Sequence, residues 1–220
     1  SELAYLMAKD AEEADALKAS LPAWAAIVGV CGRDELFLPE ERAAVHEADI
    51  GDIAQEFGLK MLPSVGGLKG SSILEKISAP CKGKYWKEIY KGDFTEIFFV
   101  TTLDRVYPFI DSVKKTAAAM GYAPEDLGIY LQPEHMGAAY RVYFTIPYNG
   151  CCAKETALAK KLFEKASTDL SNLGAYYMRP YGMWAKLQLN KDAESYKAIE
   201  KMRGIFDPNG IMNPGKLTNY

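Results

Sequence analysis

The order of short apolar segments and amphipathic segments, which occurs twice along the chain, constrains the fold most strongly. In residues 1–80, apolar runs of strand length alternate with two segments that carry helix-start signals, Asp10 as an N-cap and Pro39 in a first turn. This half is therefore predicted to have the order βαββαβ. The predicted strands are residues 3–7, 24–31, 35–38 and 59–62, and the predicted helices are residues 10–20 and 39–57.

The same order is predicted in the second half, after a connection rich in Gly and Pro. In residues 139–147, Tyr140, Val142, Phe144 and Ile146 alternate with Arg141, Tyr143 and Thr145, which predicts a strand with one buried face. The predicted strands of this half are residues 96–102, 127–133, 139–147 and a short segment at 175–178. Its predicted helices are residues 104–120, 153–173 and, after the second repeat, 192–205.

The two halves together predict an α+β fold made of duplicated ferredoxin-like (βαββαβ) units, in which helices cover antiparallel sheets. The first unit is predicted to cover residues 1–80. The second is predicted to cover residues 81–220 and to include a C-terminal helix and tail. With 220 residues, of which 49% are hydrophobic and 25% charged, the chain has enough apolar side chains for a globular core.

Charge and hydropathy exclude several classes of function. The formal net charge is −3 and no Lys/Arg-rich block is present, so no nucleic-acid partner is expected. The longest apolar run, residues 23–30, is far below the roughly 20 residues that cross a bilayer, so we expect no membrane partner and a cytoplasmic location. The four Cys show no CxxC spacing and only two His are present, so no metal site is predicted.

Residues 203–220 form a run of turn signals at the end of the chain. Asp207-Pro-Asn-Gly210 predicts a turn, because Pro fixes φ and Asn-Gly tolerates positive φ. A second predicted turn, Asn213-Pro-Gly215, places Lys216 at a rigid corner. This ending resembles the C-terminus of FAD-linked oxidases of the vanillyl-alcohol oxidase and 4-cresol dehydrogenase group, which reads roughly "DP-N-G-I-x-x-PGK/R".

The resemblance extends over residues 96–220. Pro133-Glu-His-Met136 is similar to the Pro-Arg-Asp-Met of that family, and Tyr177-Met-Arg179 is similar to its Tyr-Arg pair. The resemblance implies a substrate-binding cap domain, itself a duplicated ferredoxin-like fold in these flavoenzymes. It further implies an FAD-dependent oxidoreductase in which hydride passes from a phenolic or related alcohol to flavin N5.

The resemblance also implies roles for individual residues. Arg179 would bind the phenolic oxygen and stabilise the phenolate, a task suited to a planar and permanently charged guanidinium. Tyr176 and Tyr177 would donate hydroxyls to the same oxygen, although the family has Tyr directly before the Arg and this chain has Met178 there. Further implied positions are Glu96, Asn213 and Lys216 against the flavin or its domain, and Tyr140 and His135 for substrate binding.

The expected cofactor is FAD. Some family members tether FAD covalently through a His on the strand that aligns with Glu96, so the Glu implies non-covalent FAD. A pyrophosphate needs glycine-rich loops with unpaired N–H groups, and neither Val65-Gly-Gly67 nor Gly70-Ser-Ser72 leads from a strand into a helix as such a loop does. FAD is therefore expected to be held mainly by an N-terminal FAD-binding domain absent from this chain, on the same or a separate polypeptide. The chain, which starts at Ser1 without Met, is expected to be a fragment and to be inactive alone.

Two alternatives remain open. Glu134-His-Met-Gly137 resembles part of a motif of D-lactate and glycolate dehydrogenases, which implies the cap of a D-2-hydroxy-acid dehydrogenase, although the metal-ligand His residues of that motif are missing. The second alternative is a non-catalytic ferredoxin-like binding or assembly module, because Met178 and Gly137-Ala138 stand where active residues are expected. Expected partners are the FAD-binding domain and a small-molecule substrate, with a homodimer or an electron-acceptor subunit as further candidates.

Overall fold

A computed structural model describes residues 2–33, 37–78, 83–189 and 191–214 of the chain. They fall into two compact units, one covering Leu3–Trp86 and the other running from Lys87 onward together with Glu2. Helices and antiparallel strands occur together, which confirms the predicted α+β class. In the described ranges, no helix combines the length and the apolar composition needed to cross a membrane.

The unit that begins at Lys87 is built on a three-stranded antiparallel sheet. Its strands are β3 (Asp93–Thr101), β4 (Gly128–Glu134) and β5 (Ala139–Tyr148), in the spatial order β3-β5-β4. Helix α5 (Val106–Ala119) connects β3 to β4, and α6 (Ala153–Asn172) follows β5. The βαββα order predicted for this region is therefore present, and the last predicted strand is reduced to one antiparallel bridge between Tyr176 and Val100.

Alternate residues of the central strands form the core of this unit. On β5, Val142, Phe144 and Ile146 are fully buried, as their alternation predicts. Helices α5 and α6 cover this face of the sheet, because their apolar side chains recur at helical spacing on one side. The core includes Ile97 and Phe99 of β3, Phe109 and Val113 of α5, and Leu162, Ala166 and Leu170 of α6.

Glycines and acidic caps fix the helix ends where the sequence predicts them. Gly121 and Gly174 follow α5 and α6 with φ of 78° and 97°, a conformation that a side chain at Cβ would disfavour. Helix α8 (Ala193–Phe206) starts after Asp192, whose carboxylate accepts the N–H of Glu194 at 3.1 Å. A shorter helix, α7 (Met183–Leu189), is not predicted from the sequence.

The unit Leu3–Trp86 departs from the prediction at its strands. Residues 3–7, predicted as a strand, lie in helix α1 (Glu2–Met7), because Leu, Ala and Met favour helix and a five-residue apolar run has no decisive period. Leu6 and Met7 instead pack against Ile73 of helix α4 (Gly70–Ser78). The unit also contains a two-residue hairpin, β1 (Ser64–Val65) and β2 (Leu68–Lys69).

The two other helices of this unit confirm the prediction. Helix α2 (Ala11–Ser20) is capped by Asp10, which accepts the Glu13 N–H at 2.9 Å, and α3 (Pro39–Glu56) starts with Pro39 and is followed by Gly58 at φ 62°. Residues 24–31 and 59–62 form no strand, so those predictions are wrong: apolar runs need a pairing partner, and none of the described segments pairs with them. The predicted strand at 35–38 lies partly outside the described residues.

Candidate functional site

The sheet of the unit that begins at Lys87 has one face covered by α5 and α6 and an opposite face, which we call the open face. Because side chains alternate along a strand, the open face carries the residues that the core does not use. The strand register arranges these residues in three rows. The first row is Glu96, Thr145 and Gly128; the second is Phe98, Tyr143 and Tyr130; the third is Val100, Arg141 and Gln132.

The first row contains a buried group of charges. Lys87 makes ion pairs with Glu96 and with Glu2, the latter at 2.8 Å from Nζ to Oε1. The Thr145 hydroxyl lies 3.0 Å from Glu96 Oε1 and 3.2 Å from Glu2 Oε1. Burial alone lowers the pKa of Lys87, but the negative charges of Glu2 and Glu96 and the hydrogen bonds to both outweigh it and raise the pKa. Lys87 therefore stays protonated at neutral pH.

Gly128 makes room for this group. A Cβ atom at residue 128 would lie 1.8 Å from Glu2 Oε2 and 3.0 Å from the Thr145 Cβ. Glu2 Oε2 is buried and accepts no hydrogen bond within the part of the chain that the structure describes. The first row thus holds two carboxylates and one ammonium, packed against a backbone position that only Gly fits.

The second row is aromatic. The rings of Phe98 and Tyr143 stack with centroids 5.6 Å apart, and Tyr143 lies 5.7 Å from Tyr130. The guanidinium carbon of Arg179 lies 5.9 Å from the Phe98 ring centroid, within the range of a cation–π contact. Arg179 is exposed, so this contact leaves its N–H donors accessible. The second row is a group of three neighbouring aromatic rings with a cation beside it.

The third row lies next to Tyr176. Tyr176 and Val100 exchange backbone hydrogen bonds of 2.9 and 3.3 Å, so their side chains share the open face, and Tyr176 is 56% exposed. In the same row, Arg141 forms an ion pair with Glu134, and its hydrogen bond with Tyr143 raises the pKa of the guanidinium. The structure therefore brings three of the predicted site residues, Glu96, Tyr176 and Arg179, to one face of the sheet.

Tyr177 points to the opposite face. It is 1% exposed, its hydroxyl donates to the Ser167 carbonyl oxygen at 2.7 Å, and its ring stacks on Trp184 at 4.9 Å. Burial raises the pKa of its hydroxyl far above the ordinary value, so Tyr177 is a neutral core residue. The structure does not bring it to Arg179, because consecutive residues of an extended segment face opposite ways.

Tyr140 and His135 lie at the β4–β5 hairpin rather than in the three rows. Tyr140 is the register partner of Thr101, at the end of β3, and its hydroxyl is near Gly137. His135 and Met136 have φ of 50° and 57° and are exposed. The side chain of His135 has no hydrogen bond or ion pair with any residue that the structure describes.

The C-terminal turn is organised by Asp207. Its two carboxylate oxygens accept the N–H groups of Ile211 and Met212, each at 2.9 Å, and the Gly210 N–H donates to the Asp207 carbonyl oxygen at 3.1 Å. Asn213 adopts φ 47°, and Lys216 lies outside the described residues. Five large apolar side chains are exposed around this turn, which we call the C-terminal apolar patch: Met202, Ile205, Phe206, Ile211 and Met212.

The glycine-rich stretches of the unit Leu3–Trp86 take part in local backbone structure. Gly66 and Gly67 form the turn of the β1–β2 hairpin, and a Cβ at Gly66 would lie 2.7 Å from Met7, so the turn is packed against apolar side chains. Gly70-Ser-Ser72 does lead from a strand into a helix, because β2 ends at Lys69 and α4 begins at Gly70, so that part of the prediction is wrong. The Gly70 N–H donates to the Pro63 carbonyl oxygen at 3.3 Å. Among the described residues, no group of three or more His, Cys, Asp or Glu is placed to hold a metal ion.

No sequence pattern indicates Lys87, Thr145 or Trp184 as a site residue. Lys87 stands in a polar segment before β3, and only the burial of its Nζ between two carboxylates distinguishes it from a surface Lys. Trp184 lies in α7, which is not predicted from the sequence. Its ring contacts the ring of Phe98 on β3, with 4.9 Å between the two centroids. Its indole N–H donates to the Ser167 hydroxyl at 2.9 Å.

Comparison with known proteins bears on α7, α8 and the C-terminal turn. No curated protein gives a significant match to the chain. The family described as FAD linked oxidases, C-terminal domain, matches residues 181–217, which contain the Asp207 turn and Asn213. Over this segment, the chain is similar to the C-terminal domain of FAD-linked oxidases.

Proposed function

We propose that this chain is the substrate-binding cap domain of an FAD-dependent oxidoreductase. The match of residues 181–217 to the C-terminal domain of FAD-linked oxidases is the observation that carries this proposal. The vanillyl-alcohol oxidase and 4-cresol dehydrogenase subgroup and a cytoplasmic location belong to the same proposal. The open face is the surface that we assign to the substrate.

We assign phenolic or related benzylic alcohols as substrates, and Arg179 as the residue that binds the phenolic oxygen. The second row offers an aromatic ligand contact with other aromatic side chains, and Arg179 supplies a fixed positive charge beside Phe98. Tyr176 lies on the same face, and we assign it as a hydroxyl donor to that oxygen. Negative charge that develops on the phenolic oxygen would thus meet preorganised donors.

FAD in this proposal is non-covalent and is held by a separate FAD-binding domain. When bound, the flavin supplies the hydride acceptor, and that chemistry belongs to the cofactor. Glu96 supports a non-covalent link, because it stands where some family members have the His that tethers FAD. The C-terminal apolar patch, with Asn213 and Lys216, is the surface that we assign to contact with the FAD-binding domain. It exposes Phe206 by 74% and Ile211 by 77%.

The test is the rate of flavin reduction in the chain combined with its FAD-binding domain. Arg179→Ala should slow the reductive half-reaction by roughly 10²–10³, the usual loss for one preorganised electrostatic donor. Arg179→Lys should recover only part of the rate, since a point charge does not reproduce the planar fork. The matched control is Arg42→Ala on α3, an exposed Arg in the other unit, which should leave the rate unchanged.

The substrate panel separates this proposal from its alternatives. Stopped-flow reduction should be fast with phenolic alcohols and slow with D-2-hydroxy acids. The reverse order would favour the cap of a D-2-hydroxy-acid dehydrogenase. Unchanged reduction in Arg179→Ala with every substrate would remove Arg179 from the site and favour the non-catalytic binding module.

A further inference from the structure

We propose that Asn149 is a site of covalent modification, at which the Asn149-Gly150 turn converts spontaneously into aspartyl and isoaspartyl forms. The inference does not depend on the proposed cap-domain function. The chain contains two Asn-Gly pairs, Asn149-Gly150 and Asn209-Gly210, and all four residues are exposed. The structure favours the reaction at the first pair and opposes it at the second.

The reaction joins the Gly150 nitrogen to Cγ of the Asn149 side chain. The new N–Cγ bond replaces the bond from Cγ to Nδ2, and the side-chain nitrogen leaves as ammonia with the proton of the Gly150 N–H. Water then opens the cyclic imide. Addition of water at Cγ gives aspartate, and addition at the backbone carbonyl carbon of Asn149 gives isoaspartate. Each product has exchanged an amide for a carboxylate, and water is the only co-reactant.

The Asn149 side chain is turned toward the peptide that attacks it. Its Oδ1 atom accepts the Cys151 N–H at 2.9 Å, which folds the side chain back over the Gly150 peptide. The same N–H would stabilise the negative charge that develops on Oδ1 when the Gly150 nitrogen adds to Cγ. The Asn149 N–H donates to Glu155 Oε2 at 3.0 Å, so the first turn of α6 holds the backbone at this position.

The attacking nitrogen of Gly150 is accessible. Its N–H donates to no residue that the structure describes, so the attack breaks no hydrogen bond within the described chain. Gly150 has no side chain to shield the nitrogen, and a Cβ at this position would lie 3.0 Å from Asp93 Oδ2. The Asp93 carboxylate therefore favours Gly at the position that follows Asn149.

The second Asn-Gly pair has the opposite arrangement. The Gly210 N–H donates to the Asp207 carbonyl oxygen at 3.1 Å, so attack by this nitrogen would break a hydrogen bond of the turn. The N–H of Ile211, which corresponds in position to that of Cys151, donates to Asp207 Oδ1 rather than to Asn209. The second pair therefore lacks both the oriented side chain and the accessible nitrogen.

The modification would change the start of α6. Either product places a new negative charge close to Glu155, whose carboxylate already binds the backbone of residue 149, and like charges repel. Isoaspartate also adds a carbon to the main chain, which moves the Cys151 N–H away from its acceptor. The isoaspartyl carboxylate is the chemical group that protein-isoaspartyl methyltransferases recognise, so the modified turn is a substrate for that class of enzyme.

The experiment follows both pairs in one sample of the 220-residue chain during incubation at neutral to mildly alkaline pH. Tryptic peptides 142–154 and 204–216 each contain one Asn-Gly pair, and mass spectrometry detects the mass gained when an amide becomes a carboxylate. Conversion at Asn149 should be about tenfold faster than at Asn209, the rate equivalent of one backbone hydrogen bond. An isoaspartyl methyltransferase with a labelled methyl donor should label peptide 142–154.

Two controls connect the result to the structure. Asn149→Gln should leave peptide 142–154 unmodified, because its longer side chain would have to close a larger ring. In urea both turns are lost, so the two rates should converge. Equal rates in the folded chain, or faster conversion at Asn209, would overturn the proposal. A rate ratio that is unchanged in urea would also overturn it, because the neighbouring side chains rather than the turns would then set the difference.

Discussion

At the scale of residues, the ion-paired group of the first row shows how burial turns an ordinary Lys into a structural residue. Lys87 is 7% exposed, and a buried ammonium without partners would lose its proton or destabilise the fold. Its two carboxylate partners and the Thr145 hydroxyl compensate for the lost hydration. Removal of one member leaves the remaining charges buried without a partner. The resulting loss of stability is larger than the net stability that the intact group contributes.

We predict that Lys87→Met lowers the free energy of unfolding by about 3 kcal/mol, because it leaves two neighbouring carboxylates unpaired. Urea denaturation followed by circular dichroism measures the change. The control is Lys197→Met, which removes an exposed ion pair with Glu194 on α8 and should change stability by less than about 0.5 kcal/mol. Equal effects of the two substitutions would show that the Lys87 group does not stabilise the fold.

The parent chain and Lys87→Met should also differ in alkaline stability. The folded-state pKa of Lys87 is raised, so its stabilising contribution is complete below the unfolded-state value of about 10.4 and is lost as pH rises through the folded-state pKa. The stability difference between the parent and Lys87→Met should therefore shrink above that pH. A difference that is constant from neutral to strongly alkaline pH would contradict the raised pKa.

At the scale of elements, the C-terminal turn after α8 is held by one side chain. Asp207 is 8% exposed and accepts two backbone N–H groups that would otherwise lack partners in the turn. The Asp of the Asp-Pro-Asn-Gly turn therefore does more than favour a turn: its side chain accepts hydrogen bonds from residues after the turn. Gly210 adopts the positive φ of 64° that the turn requires. This is the region in which the chain is similar to FAD-linked oxidases.

We predict that Asp207→Ala loosens the C-terminal turn and lowers stability by about 1–2 kcal/mol, the usual effect of losing a side-chain cap. Hydrogen exchange should accelerate at the amides of Ile211 and Met212, which lose their acceptors. Glu200→Ala, an exposed substitution within α8, is the matched control and should leave those two amides protected. Unchanged exchange in Asp207→Ala would show that the carboxylate does not hold the turn.

At the scale of the whole molecule, both units expose several large apolar side chains. Besides the C-terminal apolar patch, Phe37 is 83% exposed, and Val28, Ile53 and Phe57 are also exposed. Large exposed apolar areas commonly mark contact surfaces for other proteins or domains. The proposed FAD-binding domain is a partner that would cover part of this surface.

We predict that the purified 220-residue chain is folded and carries no flavin, because Gly66 and Gly67 form a hairpin turn and the Gly70 N–H donates to the Pro63 carbonyl oxygen. Absorbance at about 450 nm, where flavins absorb, measures the bound cofactor, whose spectrum is its own. Addition of a matching FAD-binding domain should bring in flavin that acid precipitation releases into the supernatant. Stoichiometric flavin in the isolated chain would show that its FAD site was missed, and flavin that stays in the acid pellet would contradict the non-covalent link.

Features that depend on neighbours along the chain can be predicted from the sequence. The caps at Asp10 and Asp192, the glycines after α5 and α6 and the alternation on β5 act within a few residues. The contact between Glu96 and Thr145 on the open face cannot be predicted from the alternation alone. It also depends on the register that pairs these two residues between β3 and β5.

Contacts between distant segments account for the rest. The helix at residues 3–7 agrees with the helix propensity of Leu, Ala and Met, but its burial depends on the contact of Leu6 and Met7 with Ile73, a residue far along the chain. Tyr177, and not Tyr176, enters the core because the bridge between Tyr176 and Val100 fixes which side of the segment faces α6. Lys87 joins the first row because Glu2, Glu96 and Thr145 converge on it from separate parts of the sequence. Local propensities contribute about 1 kcal/mol or less per residue, so contacts of this kind override them.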